Sequence, residues 1–369
     1  MNIQKKRYHD LDWLRVLGMV GIFLFHNARF FNDEDWHVKN NVLDFGMSVF
    51  VSTLNQFIMP LFFILSAMAI YYALKHRTDR EFMRERVIRL LIPLIFGILF
   101  LIPPQVHIER LTHGEFQGSF FEFLPHYFDG WYGFGGNFAW MGLHLWYLLM
   151  LFVFSGLMLP VFQRLNRSDT SSIADFFSRP FGIYLFFIPM AIVEMLVSLS
   201  PETIGRRDFG GWSPLTYLII FILGYILMTD ERYRHTIERV RFISLTFSLL
   251  AKTIGFTLVL ALDVSTYHPI FSWIRAFNTW VWLLTFLGFA SRHLNYTNNF
   301  LKYANDAVLP FYILHQTVIV VIGFFIMNWS LPVFPKYLLL ATSSFIIIML
   351  LYEVFVQRVN ALRFLFGMK

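Results

Sequence analysis

Leu11-Asp12-Trp13-Leu14-Arg15-Val16-Leu17-Gly18-Met19-Val20-Gly21-Ile22-Phe23-Leu24-Phe25-His26 sets two strongly polar side chains in an apolar helix-length run. Such residues are expensive in a bilayer and tend to mark function. Eleven positions at 100° each fall within about 20° of three whole turns, so Arg15 and His26 share one helix face, ~16 Å apart along the axis.

The rest of the chain repeats the apolar pattern. It has 369 residues, 57% hydrophobic, 19% aromatic and only 15% charged, a balance foreign to a water-soluble domain. Ten runs of bilayer-crossing length lie near 11–31, 54–74, 88–106, 142–162, 181–199, 212–229, 242–262, 270–290, 307–327 and 335–356. In lipid the backbone must pair with itself, and the runs are too long and too little alternating for barrel strands. The expected fold is an all-α transmembrane bundle of about ten spans, read as a single membrane domain over 1–369.

Net charge is +6, concentrated in alternate loops. Lys75, Arg77, Arg80, Arg84, Arg86 and Arg89 form the richest loop. With both termini in the cytoplasm this is the positive-inside pattern, which explains the charge without a nucleic-acid partner. Lys5, Lys6 and Arg7 imitate the start of a signal peptide, but the run that follows contains Arg15 and lacks a small-residue cleavage site, so a retained first span is expected. Cysteine is absent, which removes disulfides and thiolate acyl relays. No His pair has the spacing of a helical metal site, and no glycine-rich phosphate loop or nucleophile elbow appears.

The spacing in the first span suits an anionic donor held at one end while its reactive group reaches a base deeper in the membrane. His26 is the candidate base or acyl relay, since a neutral imidazole can take a hydroxyl proton near pH 7. Arg15 is the candidate phosphate ligand. The plainer alternatives are a snorkelling Arg15 and a His26 that hydrogen-bonds a neighbouring helix.

Several motifs carry a family resemblance. Leu11-Asp-Trp-Leu-Arg15 with Phe25-His26 resembles the opening motif of the acyltransferase 3 family of bacterial membrane O-acyltransferases. Ile58-Met-Pro-Leu-Phe-Phe-Ile-Leu-Ser66-Ala, Arg86-Val-Ile-Arg89-Leu-Leu-Ile-Pro93, His144-Leu-Trp-Tyr-Leu and Pro310-Phe-Tyr312-Ile-Leu-His315 are similar to its later motifs, in family order. The motif forms most resemble the glucans biosynthesis protein C branch, although Ala67 replaces the usual Gly and Ile58-Met-Pro60 replaces the usual Gly-Val-Asp.

The resemblance implies an O-acyltransferase of the bacterial inner membrane. It would move an acetyl or succinyl group from cytoplasmic acyl-CoA to a hydroxyl of an extracytoplasmic glycan, without a metal. Arg86 and Arg89, neighbours on one helix face, would join Arg15 in holding coenzyme A phosphates. Plain retention charge is the alternative. Glu194 is expected either to orient the imidazole of His26 or to pair with Lys252.

Tyr312, His315 and Gln316 require partners inside the bundle, and Tyr312 and His315 are candidate substrate contacts. Trp131 and Trp140, in the glycine- and aromatic-rich stretch 128–140, could stack on sugar rings or form an interfacial belt. Arg206, Arg207 and Asp208 are a further candidate acceptor contact. Membrane lipid is the implied surround, and a homo-oligomer remains open. Two rivals stand beside this reading: a transporter or flippase coupled through a deep carboxylate such as Glu194, and a non-catalytic accessory subunit for polysaccharide export.

Overall fold

The structure is a computed structural model and describes residues 8–129, 138–200, 207–265 and 268–368. Among these residues the fold is helical, with no strand beyond an isolated bridge between Phe209 and Trp212.

Each predicted run is a helix: α1 (His9–Arg29), α2 (Phe45–Lys75), α3 (Asp79–Leu101), α4 (Pro103–Thr112), α5 (Leu143–Arg167), α6 (Gly182–Leu199), α7 (Pro214–Ile226), α8 (Glu231–Ala261), α9 (Pro269–His293), α10 (Asn299–Ile326) and α11 (Val333–Val356). Seven are long and apolar enough to cross a membrane, and an eighth span results if α3 and α4, bent by 43°, are counted together. α1 stays outside that set because Asp10, Asp12, Arg15 and His26 dilute its apolar run. α7 stays outside because it has only 13 residues.

The helix ends follow from local chemistry. Ser213 accepts from the Thr216 amide at 3.2 Å and Pro214 occupies the first turn of α7, where a missing N–H costs nothing. Asp230 caps α8 through the Arg232 amide at 2.9 Å. Pro103 and Pro104 interrupt the hydrogen-bond ladder between α3 and α4 and cause the bend.

The helices group into two compact units. The first comprises Met1–Gly18, Asn55–Phe82 and Phe154–Lys302, the second Met19–Leu54, Met83–Val153 and Tyr303–Lys369. Inside the first unit, glycines bring backbones together: a Cβ on Gly224 of α7 would lie 2.6 Å from the Ile64 carbonyl of α2, and one on Gly288 of α9 would lie 2.6 Å from the Ile237 carbonyl of α8. Small residues at helix crossings are the usual basis of packing in lipid, where burial of apolar surface supplies little drive. The second unit contains the C-terminal half of α1, residues 30–44, the start of α2, α3 from Met83 onward, α4, the start of α5, most of α10, and α11.

Candidate active site

In the second unit three histidines from distant parts of the chain converge. His315 on α10 is fully buried, and its ring centroid lies 5.0 Å from that of His26 on α1 and 5.1 Å from that of His144 at the start of α5. A carbonyl oxygen only accepts, so two tautomers are fixed. His315 Nδ1–H donates to the Tyr312 carbonyl at 2.6 Å, which leaves Nε2 with a lone pair, buried and without a partner among the described residues. His144 Nε2–H donates to the Ile313 carbonyl at 3.2 Å, which leaves its Nδ1 in the same state. His26 is half-buried, and its Nδ1 also lacks a partner among the described residues.

Local backbone chemistry sets these positions. Tyr312 and His315 follow Pro310 on one face of α10, and the Tyr312 hydroxyl donates to the His144 carbonyl. Before His144 the chain turns through Gly142 (φ 91°) and Leu143 (φ 44°). A leucine in the left-handed region costs ~1 kcal/mol or more, and such strain concentrates at functional sites.

A second polar network adjoins the first through Gln316, the residue after His315. Gln316 Nε2 donates to His37 Nε2 at 2.8 Å and to Gln105 Oε1 at 3.0 Å. Because His37 Nε2 accepts, its Nδ1 carries the proton and donates to Glu109 Oε2 at 2.5 Å. Gln105 Nε2 donates to Thr317 Oγ1 at 2.6 Å, and Thr317 donates to the Leu101 carbonyl at 2.9 Å. Gln105 and Glu109 are four apart on α4, and the proline bend turns their shared face onto this network.

The segment carrying His37 is tied down around the site. Trp36 stacks toward His26 with centroids 6.3 Å apart and 26° between planes. Lys39 Nζ donates to the Arg29 carbonyl at 2.5 Å, to Asn32 Oδ1 at 2.9 Å and to the Glu34 carbonyl at 3.0 Å. Burial, aided by the nearby Arg29 guanidinium, pushes the Lys39 amine down to about 8.

The other expected residues lie elsewhere. Arg15 is on α1, within the first unit, where Nη1 meets Asp12 at 3.2 Å and Nη2 donates to the Leu65 carbonyl at 3.5 Å. Arg86 and Arg89 belong to the second unit. Arg89 lies in a π-helical turn, Val87–Leu91, which opens the helix ahead of Pro93. Its Nε donates to the Gly367 carbonyl at 3.3 Å, and Glu85 is 3.7 Å away.

Glu194 lies in the first unit. Its side chain is fully buried in the first unit, with Arg207 Nε donating at 2.9 Å, Thr216 Oγ1 donating at 2.5 Å and Arg275 at 3.8 Å. No histidine is among its partners in the described residues, and Lys252 instead lies 4.3 Å above the Phe256 ring. A carboxylate between two guanidiniums is satisfied on the spot, and spacing along single helices could not reveal that. Arg207, expected to face the acceptor, is only 7% exposed because it serves this carboxylate.

Trp131 and Arg206 lie outside the described residues. Trp140 packs against Tyr127 and Phe128, with centroids 5.7 and 5.5 Å away. Sequence reading gave no role to His37, Gln105 or Glu109, and none to His144 beyond its motif. Gln105 and Glu109, four apart after a Pro-Pro pair, were the available signal. Among the described residues no group of three His, Asp or Glu side chains has the geometry to hold a metal ion.

The acyltransferase domain family matches residues 8–353, through both units. The chain belongs to this acyltransferase 3 family. The family is named for acyltransferases, and its match runs through the segments that carry these histidines. Curated relatives named glucans biosynthesis protein C include those of Escherichia coli K12 / DH10B, Shigella dysenteriae serotype 1 Sd197 and Escherichia coli O1:K1 / APEC. Each is 23% identical to this acyltransferase 3 chain over 246 residues, which is 60% of this chain and 58% of the relative. The chain thus spans less than two thirds of their length. No solved structure matches it.

Proposed function

We propose that the protein is a ten-span O-acyltransferase of the bacterial inner membrane, with both termini cytoplasmic, that moves an acyl group from cytoplasmic acyl-CoA to a hydroxyl of an extracytoplasmic glycan. The observation that carries this reading is the cluster of His26, His144 and His315, of which two give one ring N–H to a backbone carbonyl and turn the other nitrogen to the buried interior. An imidazole with a free lone pair in a buried site can take the proton of an alcohol as it attacks.

His26 takes the hydroxyl proton as the oxygen attacks the thioester carbon, the C–S bond breaks, and the proton is passed to the departing sulfur. In the two-step variant His26 itself takes the acyl group and then yields it to the hydroxyl. Arg15, Arg86 and Arg89 bind the donor phosphates, Tyr312 and His315 border the reacting groups, and an acetyl or succinyl group is carried without a metal. The name borne by the relatives supports a glucan as the acceptor.

The test is acyl-CoA turnover by the reconstituted protein, followed as CoA release, with mass spectrometry of envelope glycans from cells with and without the gene to identify group and acceptor. Full activity in His26→Ala would remove the assignment of the base.

A further inference from the structure

After α11 the chain forms a short helix, α12 (Asn360–Leu365), within the second unit. Its end is closed by two bonds: the Met368 amide donates to the Arg363 carbonyl at 2.8 Å and the Gly367 amide to the Phe364 carbonyl at 3.0 Å, the pair that defines a Schellman stop. Such a stop needs one left-handed residue, and Gly367 supplies it with φ 67°. Phe366, 3% exposed, anchors the turn against Phe96 of α3, with centroids 5.4 Å apart.

The turn lands on one spot of α3. An ideal Cβ on Gly367 would lie 3.0 Å from the Arg89 carbonyl oxygen, 3.0 Å from Pro93 Cγ and 3.1 Å from Leu309 Cδ2 of α10. Pro93 stands four residues after Arg89 and has no N–H, so the ordinary helical bond to that carbonyl is absent. The Gly367 carbonyl in turn accepts from Arg89 Nε at 3.3 Å. Apolar anchoring of α12 needs Phe366 and does not require a carbonyl set on a guanidinium.

A guanidinium is planar, so a bond at Nε fixes the plane in which its two Nη groups meet an anion. The Arg89 side chain is still 42% exposed, and Glu85 Oε1 stands 3.7 Å from Nη1, outside hydrogen-bond reach. The head of Arg89 is thus held without being covered.

We propose that α12 and its Gly367 turn position Arg89 for the phosphates of the acyl-CoA donor. This rests on the acyl-CoA reading above. Gly367 is a positioning residue that acts through Arg89, and it lies outside residues 8–353, the span matched to the family.

The test is steady-state kinetics of the full chain in lipid nanodiscs, comparing acetyl- and succinyl-CoA with the matching acyl-pantetheines, which carry the thioester and lack the nucleotide phosphates. Gly367→Ala should raise the KM for acyl-CoA about threefold to tenfold, the worth of one hydrogen bond, with kcat and the acyl-pantetheine kinetics unchanged. A variant ending at Leu365, in which no methyl crowds α3, should do the same. Combined with Arg89→Ala, neither change should add to the loss that Arg89→Ala causes alone. An unchanged KM in both variants, or an equal loss with acyl-pantetheine, would overturn the positioning role and leave the proposed function standing. Absence of turnover of either acyl-CoA by the wild-type protein would overturn the donor reading with it.

Discussion

The carbonyl of Tyr312 holds His315 Nδ1–H at 2.6 Å, so the other nitrogen of His315 presents its lone pair inside a cluster where the His26 ring is 5.0 Å away. Two imidazoles at that spacing can share the fate of one proton. His26→Ala should lower kcat by ~10²–10⁴-fold, the range for loss of a general base. His315→Ala should lower kcat by less, about tenfold, with the KM for acyl-CoA unchanged. A larger loss in His315→Ala than in His26→Ala would exchange their roles.

Glu109, His37 and Gln316 form one hydrogen-bonded chain beneath Trp36. Glu109→Gln and Gln316→Ala should each reduce kcat about threefold to tenfold, a hydrogen bond's worth of ~0.5–1.5 kcal/mol. Because both act on His37, the double variant should lose no more than the worse single one. Multiplying losses in steady-state assays would show that the two residues act separately.

Glu194 offers a contrast between stability and catalysis. Glu194→Gln leaves Arg207 and Arg275 around a neutral side chain, and breaking a buried ion pair costs ~3–5 kcal/mol. The melting temperature in detergent should drop sharply, while kcat per folded molecule stays near wild type. A variant with unchanged melting and lost turnover would return Glu194 to catalysis, and lost substrate flux in vesicles would favour a proton-coupled transporter.

Gly224 and Gly288 test the helix crossings. Alanine forms helices better than glycine, yet either Gly→Ala substitution drives a methyl toward a backbone carbonyl now 2.6 Å from the ideal Cβ position. Each should destabilise by ~1–3 kcal/mol, the usual cost of overpacking, read from thermal unfolding. Unchanged stability would mean that the helices can separate at these points without loss.

Much of the fold was legible from composition alone, because lipid forces every long apolar run to satisfy its own backbone and helices are the local solution. Each of the ten runs is accordingly a helix, though α1 and α7 show that helix formation and span-like apolarity are separate properties. The family was legible too, since its motifs are local strings from Leu11-Asp-Trp-Leu-Arg15 to Tyr312-Ile-Leu-His315.

What only the tertiary structure decided is which polar side chain meets which. His26 and His315 are 289 positions apart, as are no residues that helical periodicity can relate, and His37 meets Glu109 only because a Pro-Pro bend redirects α4. Glu194 looked available from its depth in a span, but its partners come from α7, α9 and the segment that precedes α7. A buried polar group must find a partner, and its sequence states the need without stating where the partner stands.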